Sequence, residues 1–164
     1  MKNIKLSALF LLMGGLALNA QSLKSPDGKF EMQFQLKSGV PFYNLKYQGK
    51  TVVEDSKLGL RLLRDGNIQF ASEIENKDQQ GKNLDNGFTK TKEKFDTKNE
   101  SWDPIMGEQK SYINHYNELA VTLNQDANDR HIVVKFRLFN DGLGFRYEFP
   151  EQKNLNYFII KEED

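Results

Sequence analysis

The chain has 164 residues, with 23 Lys and Arg balancing 23 Asp and Glu, and no cysteine. Residues 1–20 hold 13 of the hydrophobic residues and only two charges, so the remaining 144 carry 21 basic and 23 acidic side chains, a net of −2. That balance excludes a strongly basic nucleic-acid binder and a polytopic membrane protein, and the recurring Phe, Tyr, Ile, Val and Leu exclude a disordered chain.

The first segment reads as an address. Lys2 and Lys5 supply a positive start, Ile4 to Leu18 is apolar, and Leu18-Asn19-Ala20 places a small residue before Gln21. This order predicts a secretory signal peptide over 1–20, cleaved after Ala20, and an exported or periplasmic domain over 21–164. The apolar run falls short of the roughly 20 residues that span a bilayer, so no membrane association is expected after cleavage. Without cysteine, the exported domain relies on its core or on other domains, and has no thiolate for nucleophilic or metal chemistry.

The rest of the chain reads as strands. Phe30, Met32, Phe34 and Leu36 alternate with polar residues, as do Tyr43, Leu45 and Tyr47. That two-residue period is the mark of half-buried strands. Turns are expected at Ser38-Gly39-Val40-Pro41, Gln48-Gly49-Lys50 and Asp65-Gly66-Asn67, with short strands over 51–54 and 58–63. A polar loop, either wholly irregular or holding a short strand, is expected over 73–86, then a lysine-rich edge strand over 88–95, a pattern that discourages pairing with other chains.

The clearest unit is a late hairpin. Ile132, Val134, Phe136 and Leu138 share one face, as do Leu143, Phe145, Tyr147 and Phe149. Between them Asn140-Asp141-Gly142 predicts a three-residue loop with Gly142 in the left-handed region, and Pro150 ends the second strand. A last strand is expected over 155–160, then a charged tail over 161–164. Many short strands and no sustained helical period predict an all-β sandwich.

The densest polar cluster is Asn114-His115-Tyr116-Asn117-Glu118, directly before Leu119-Ala120-Val121-Thr122-Leu123. Parity puts His115 and Asn117 on the face of Leu119, with Tyr116 and Glu118 opposite. Polar groups on a core face need hydrogen-bond partners, or they line a cavity or an interface. A His satisfied by backbone at a strand end is the simpler reading. The second histidine, His131, is expected to be exposed. Neither belongs to a paired-His zinc signature, and no nucleophile elbow or phosphate-binding glycine loop occurs. The lone tryptophan, Trp102, lies in Ser101-Trp102-Asp103-Pro104-Ile105-Met106-Gly107-Glu108, which reads as irregular. A large aromatic there caps the core or an interface, or stacks on a sugar ring.

Trp102, Pro104, Gly107 and Glu108, followed by Asn114 to Leu119, resemble the N-terminal domain of glycoside hydrolase family 97, whose members include starch-utilisation α-glucosidases. Leu23-Lys24-Ser25-Pro26-Asp27-Gly28, Asn128-Asp129-Arg130 and the run from Phe136 to Pro150 also fit. The resemblance is specific over 100–160 and loose over 65–98. It implies a β-super-sandwich like that of galactose mutarotases, packed on a (β/α)₈ barrel that holds the catalytic acids and most ligands of a calcium ion. It also implies that the chain stops before the barrel and before the sandwich is complete. No catalytic, cofactor or metal residue carries over, and no cofactor is expected in this segment. The expected role is a non-catalytic module that contacts an α-glucan, an α-galactoside or the barrel. Its candidate interface or sugar-facing residues are Trp102, Glu108, Asn114, His115, Asn117 and Glu118. The alternative is a free-standing mutarotase-like enzyme using His115 and a glutamate.

Overall fold

A computed structural model describes residues 22–65, 83–106, 108, 110–155 and 157–164, leaving out the side chains of 63–65. The leader, the turn at Gly66-Asn67 and positions 73–82 of the expected loop lie outside the described residues.

Among the described residues, ten strands form three antiparallel sheets. The first sheet has the order β1 (Ser22–Lys24), β2 (Phe30–Lys37), β3 (Val40–Tyr47) and β4 (Lys50–Lys57). The second has the order β6 (Thr89–Trp102), β7 (Tyr112–Gln125), β8 (Arg130–Leu138) and β9 (Leu143–Glu148). A two-stranded sheet pairs β5 (Leu60–Asp65) with β10 (Phe158–Glu163).

The alternation seen in the sequence produces this layering. Met32, Phe34 and Leu45 from the first sheet meet Leu119, Val121, Leu123, Ile132, Val134, Phe136 and Leu138 from the second in one buried core. The Phe136 ring, fully buried, lies 6.1 Å from Phe34 and 6.0 Å from Tyr43 on the facing sheet. The expected all-β sandwich is therefore the observed fold. The hairpins β2–β3 and β3–β4 turn through Ser38-Gly39 and Gln48-Gly49, all four residues having positive φ. This is the left-handed backbone of a tight two-residue turn, matched to the twist of its strands.

Several local expectations are corrected. The strands expected over 51–54 and 58–63 run instead over Lys50–Lys57 and Leu60–Asp65. The edge strand expected over 88–95 extends to Trp102, because its polar residues pair along all of β7. Its place at the edge of the second sheet is as its lysines suggested. Within the expected 73–86 loop, Leu84 is fully buried and bridges to Leu60. The β8–β9 loop spans four residues, closed by the Phe139 amide donating to the Gly142 carbonyl at 2.8 Å, and Gly142 is not among the residues with positive φ. The extra residue in the loop removes the need for a left-handed position. The strand expected over 155–160 begins at Phe158, with Leu155 closing a 3₁₀ turn, and the expected charged tail is mostly strand β10. Asp164 is held by Lys57 and Arg61, and its amide donates to the Gly59 carbonyl.

Candidate functional site

Strands β6 and β7 are 14 residues each, whereas β8 pairs only with Asn117–Gln125 of β7. The outer third of the β6–β7 hairpin therefore projects as a two-stranded arm. At its end Trp102 and Tyr112 are direct partners across the ladder, their rings 5.7 Å apart and within 18° of parallel. Trp102 is half exposed, and Ile105, Met106 and Ile113 beside it are almost bare. Trp102 thus ends a strand instead of sitting in an irregular segment, and it caps none of the sandwich core. Glu108 is exposed beyond the strand end.

The arm's polar residues are organised by parity. Asn114 donates from Nδ2 to Oε1 of Glu100 at 2.8 Å, and that bond, with Lys98 nearby, holds the Glu100 carboxyl below its ordinary pKa. Asn117 faces the other sheet: its Nδ2 donates to the Lys24 carbonyl at 2.7 Å, and its Oδ1 accepts from Thr97 Oγ1 at 2.8 Å. His115 is half-buried opposite Asn99 and has no side-chain hydrogen-bond partner among the described residues. His131, expected to be exposed, is half-buried as well, its backbone clamped by the Gln152 side chain at 2.7 and 2.6 Å.

Tyr116 and Glu118 point to the outer face, as parity implies, but Tyr116 is buried there. Phe139 packs on its ring at 5.1 Å, and the Arg137 guanidinium lies 4.5 Å above it. Arg137 donates from Nε to Oε2 of Glu118 at 2.8 Å. That bond raises the pKa of Arg137 above its ordinary value against the opposing effect of burial. Beside it, Glu148 accepts from Arg146 and faces Lys135 at 3.1 Å. A groove of about 270 Å³ opens among Lys135, Arg137, Phe139, Gly144, Phe145 and Arg146. His115 and Glu118 are on opposite faces of β7, so they do not converge on one substrate.

Two features escaped the sequence reading. Gln125 is buried and donates to the carbonyls of Asn83 and Asn86, while its Oε1 accepts from Asn128 and Arg130. The Asn128-Asp129-Arg130 motif thus closes the β7–β8 turn around a buried amide, with Asp129 in the left-handed region. Asn140 accepts from the Asp27 amide at 2.9 Å, joining the Ser25-Pro26-Asp27-Gly28 turn to the β8–β9 loop. The Gln125 bonds to Asn83 and Asn86 and the Asn140 bond to Asp27 join segments far apart in sequence, which no local pattern encodes.

No group of three or more His, Asp or Glu side chains able to hold a metal is found among the described residues. Asp85 and Asp164 both face Lys57, and Asp164 also has Arg61, so these carboxylates already have cationic partners and do not fit the calcium ion implied by the resemblance.

Residues 23–164 match the family model described as glycosyl-hydrolase 97 N-terminal. The chain belongs to this family. Among solved structures, the family 97 N-terminal domain described here is similar to a glycoside hydrolase family 97 enzyme from Pseudoalteromonas sp. strain K8, determined in complex with panose and with acarbose. Each match has a TM-score of 0.72 at 28% identity and covers 87% of this chain and 19% of that one. A β-arabinopyranosidase shares the fold at 23% identity, with a TM-score of 0.68, over 87% of this chain and 20% of that one. The family 97 N-terminal domain seen here therefore spans about a fifth of the length of the enzymes it matches.

Proposed function

We propose that the chain is the non-catalytic N-terminal sandwich of a longer, exported enzyme acting on α-glucosides or α-galactosides, and that the β6–β7 arm seats it against the catalytic barrel. The observation that carries this reading is the exposed Trp102–Tyr112 stack with Ile105, Met106 and Ile113 at the end of a two-stranded arm. Large aromatics with apolar neighbours, ringed by polar residues such as Glu100 and Asn114, are what an interface centre presents before its partner covers it. The chemistry belongs to the barrel, where the two carboxylates of a glycosidase must flank one bond. The calcium ion of that assembly, like the sugar, is placed with the barrel by this reading. Export follows from the leader over 1–20, with Ala20–Gln21 as the cleavage point.

Two measurements test it. The purified chain, offered aryl α-glucosides and α-galactosides, is expected to give no turnover, and turnover abolished by Glu118→Gln would overturn the proposal in favour of a free-standing enzyme. In the longer protein, Trp102→Ser combined with Tyr112→Ser should loosen the N-terminal module, so that limited proteolysis releases it sooner. An unchanged release rate would remove the arm from the interface.

A further inference from the structure

The groove on the outer face of β8 and β9 has a chemistry of its own, separate from the arm. Its central group is Arg137. The guanidinium is fixed on two sides, by the Nε bond to Glu118 and by the Tyr116 ring beneath it. Its two Nη nitrogens have no acceptor among the described residues, although the side chain is 36% exposed. Directly across the ladder from Arg137 is Gly144, where an added Cβ would meet nothing within 4 Å. A rigid two-nitrogen edge therefore stands over an open floor. Lys135 and Arg146 flank it and share one carboxylate, Glu148. Three cations, Lys135, Arg137 and Arg146, thus line the groove, with Glu118 and Glu148 bonded to them and Glu100 close enough to feel the Arg137 charge. The Phe139 ring closes one end.

We propose that this groove is a carboxylate-binding notch, in which the Nη edge of Arg137 takes both oxygens of the ligand, with Lys135 and Arg146 on either side of it. Paired N–H donors in one plane match a carboxylate and hold it in a fixed orientation. A preset guanidinium binds with less loss of side-chain freedom than a mobile lysine. The volume, about 270 Å³, admits a group of hexose size, and the aromatic edge suits the apolar face of a sugar ring. A carboxylate reaches such a notch from two sources, a hexuronate sugar or an acidic side chain of another polypeptide.

The test uses the ¹⁵N-labelled chain at low ionic strength, titrated with methyl β-glucuronide, N-acetylglutamate amide and, as the uncharged control, methyl β-glucoside. Amide shifts are expected at Arg137, Gly144 and Arg146 with the two carboxylates and not with the glucoside, and added salt should weaken them. Tighter binding of the glucuronide identifies a sugar as the source, and equal or tighter binding of the glutamate derivative identifies an acidic side chain. Arg137→Gln should weaken binding by roughly tenfold or more, since it removes charged hydrogen bonds. Arg137 also covers Tyr116, so Gly144→Val is the companion variant: it fills the floor and leaves every bond of Arg137 in place. It should abolish the shifts while the rest of the spectrum stays folded. Absence of shifts with both carboxylates, equal shifts with the glucoside, or shifts that survive Gly144→Val would each overturn the proposal.

Discussion

Asn117 on β7 donates its side-chain amide to the backbone carbonyl of Lys24 on β1, 2.7 Å away, and so fastens the two sheets where the core gives way to the arm. The same side chain accepts from Thr97 on β6. One residue thus connects three strands at the root of the projecting hairpin. Asn117→Leu removes both bonds and is expected to cost about 1–3 kcal/mol, roughly 1 for each. Asn117→Asp should cost more than Asn117→Leu, because it turns a donor into a charge facing the Lys24 carbonyl. Chemical denaturation of both variants checks the order, and amide exchange on Ser22–Lys24 should rise in each.

A second prediction concerns acid. The Asp27 carboxylate accepts from the Ser25 hydroxyl at 2.7 Å and the Lys29 amide at 3.1 Å, which lower its pKa to about 2. A carboxyl depressed in the folded state contributes stability that is complete above its ordinary pKa of about 4 and is lost as the pH falls through the folded value. Ser25→Ala removes the larger cause, so the Asp27 pKa should move up toward the ordinary range when followed by NMR. The variant's stability should also become less sensitive to pH between about 4 and 2. A titration of Asp27 unchanged by Ser25→Ala would contradict the assignment.

Phe136 provides a test of the core. Its ring is fully buried between Phe34 and Tyr43 of the opposite sheet, whereas Phe145, its partner across the ladder, sits at the open margin and is 36% exposed. Phe136→Ala should cost about 3–5 kcal/mol, through lost transfer energy and a cavity that two sheets cannot close. Phe145→Ala should cost clearly less, because solvent fills the space it vacates. Equal losses in thermal unfolding would show that the margin is covered.

How far the sequence predicts this molecule follows from the range of the interactions. Period-two alternation is local, so β2, β3, β8 and the face of β9 are legible from Phe30, Tyr43, Ile132 and Leu143 onward, and parity alone places Asn117 on the inner side and Glu118 on the outer. Strand length is a property of the partner. Nothing in Lys98-Asn99-Glu100-Ser101 announces that β6 continues to Trp102, because that depends on β7 lying alongside. The same holds for the groove. Glu118 and Arg137 are 19 residues apart and become a pair only through the β7–β8 register, and Gly144 becomes its floor only through β9. The burial of Tyr116 on an outer face depends on a cation and a ring supplied by β8 and its loop, so alternation marks its direction and misses its burial.

The last prediction joins Gly59 to Tyr147. The Gly59 amide donates to the Tyr147 hydroxyl oxygen at 3.1 Å, tying the β4–β5 connection to β9. Burial pushes the phenol pKa well above its ordinary value, partly offset by that bond, so the hydroxyl stays protonated throughout the physiological range. On the other side of Gly59, an added Cβ would come within 2.7 Å of both the Cα and the Cβ of Asp85. Neither atom can swing away as the far end of a side chain could, and the segment around Asp85 is pinned because Leu84 is paired in both directions with Leu60. Gly59→Ala therefore has no cheap relaxation: either the Leu60–Leu84 bridge parts or the Asp164 amide loses the Gly59 carbonyl. A cost in the range of overpacked cores, about 1–3 kcal/mol, is expected. Tyr147→Phe keeps the ring in the core and strands the Gly59 N–H, with an expected loss of about 1–3 kcal/mol. The two changes act on the same residue from opposite sides, so their effects should not add in the double variant. Equilibrium unfolding of the two singles and the double closes the cycle, and simple additivity would show that Gly59 does not couple β9 to the segment around Asp85.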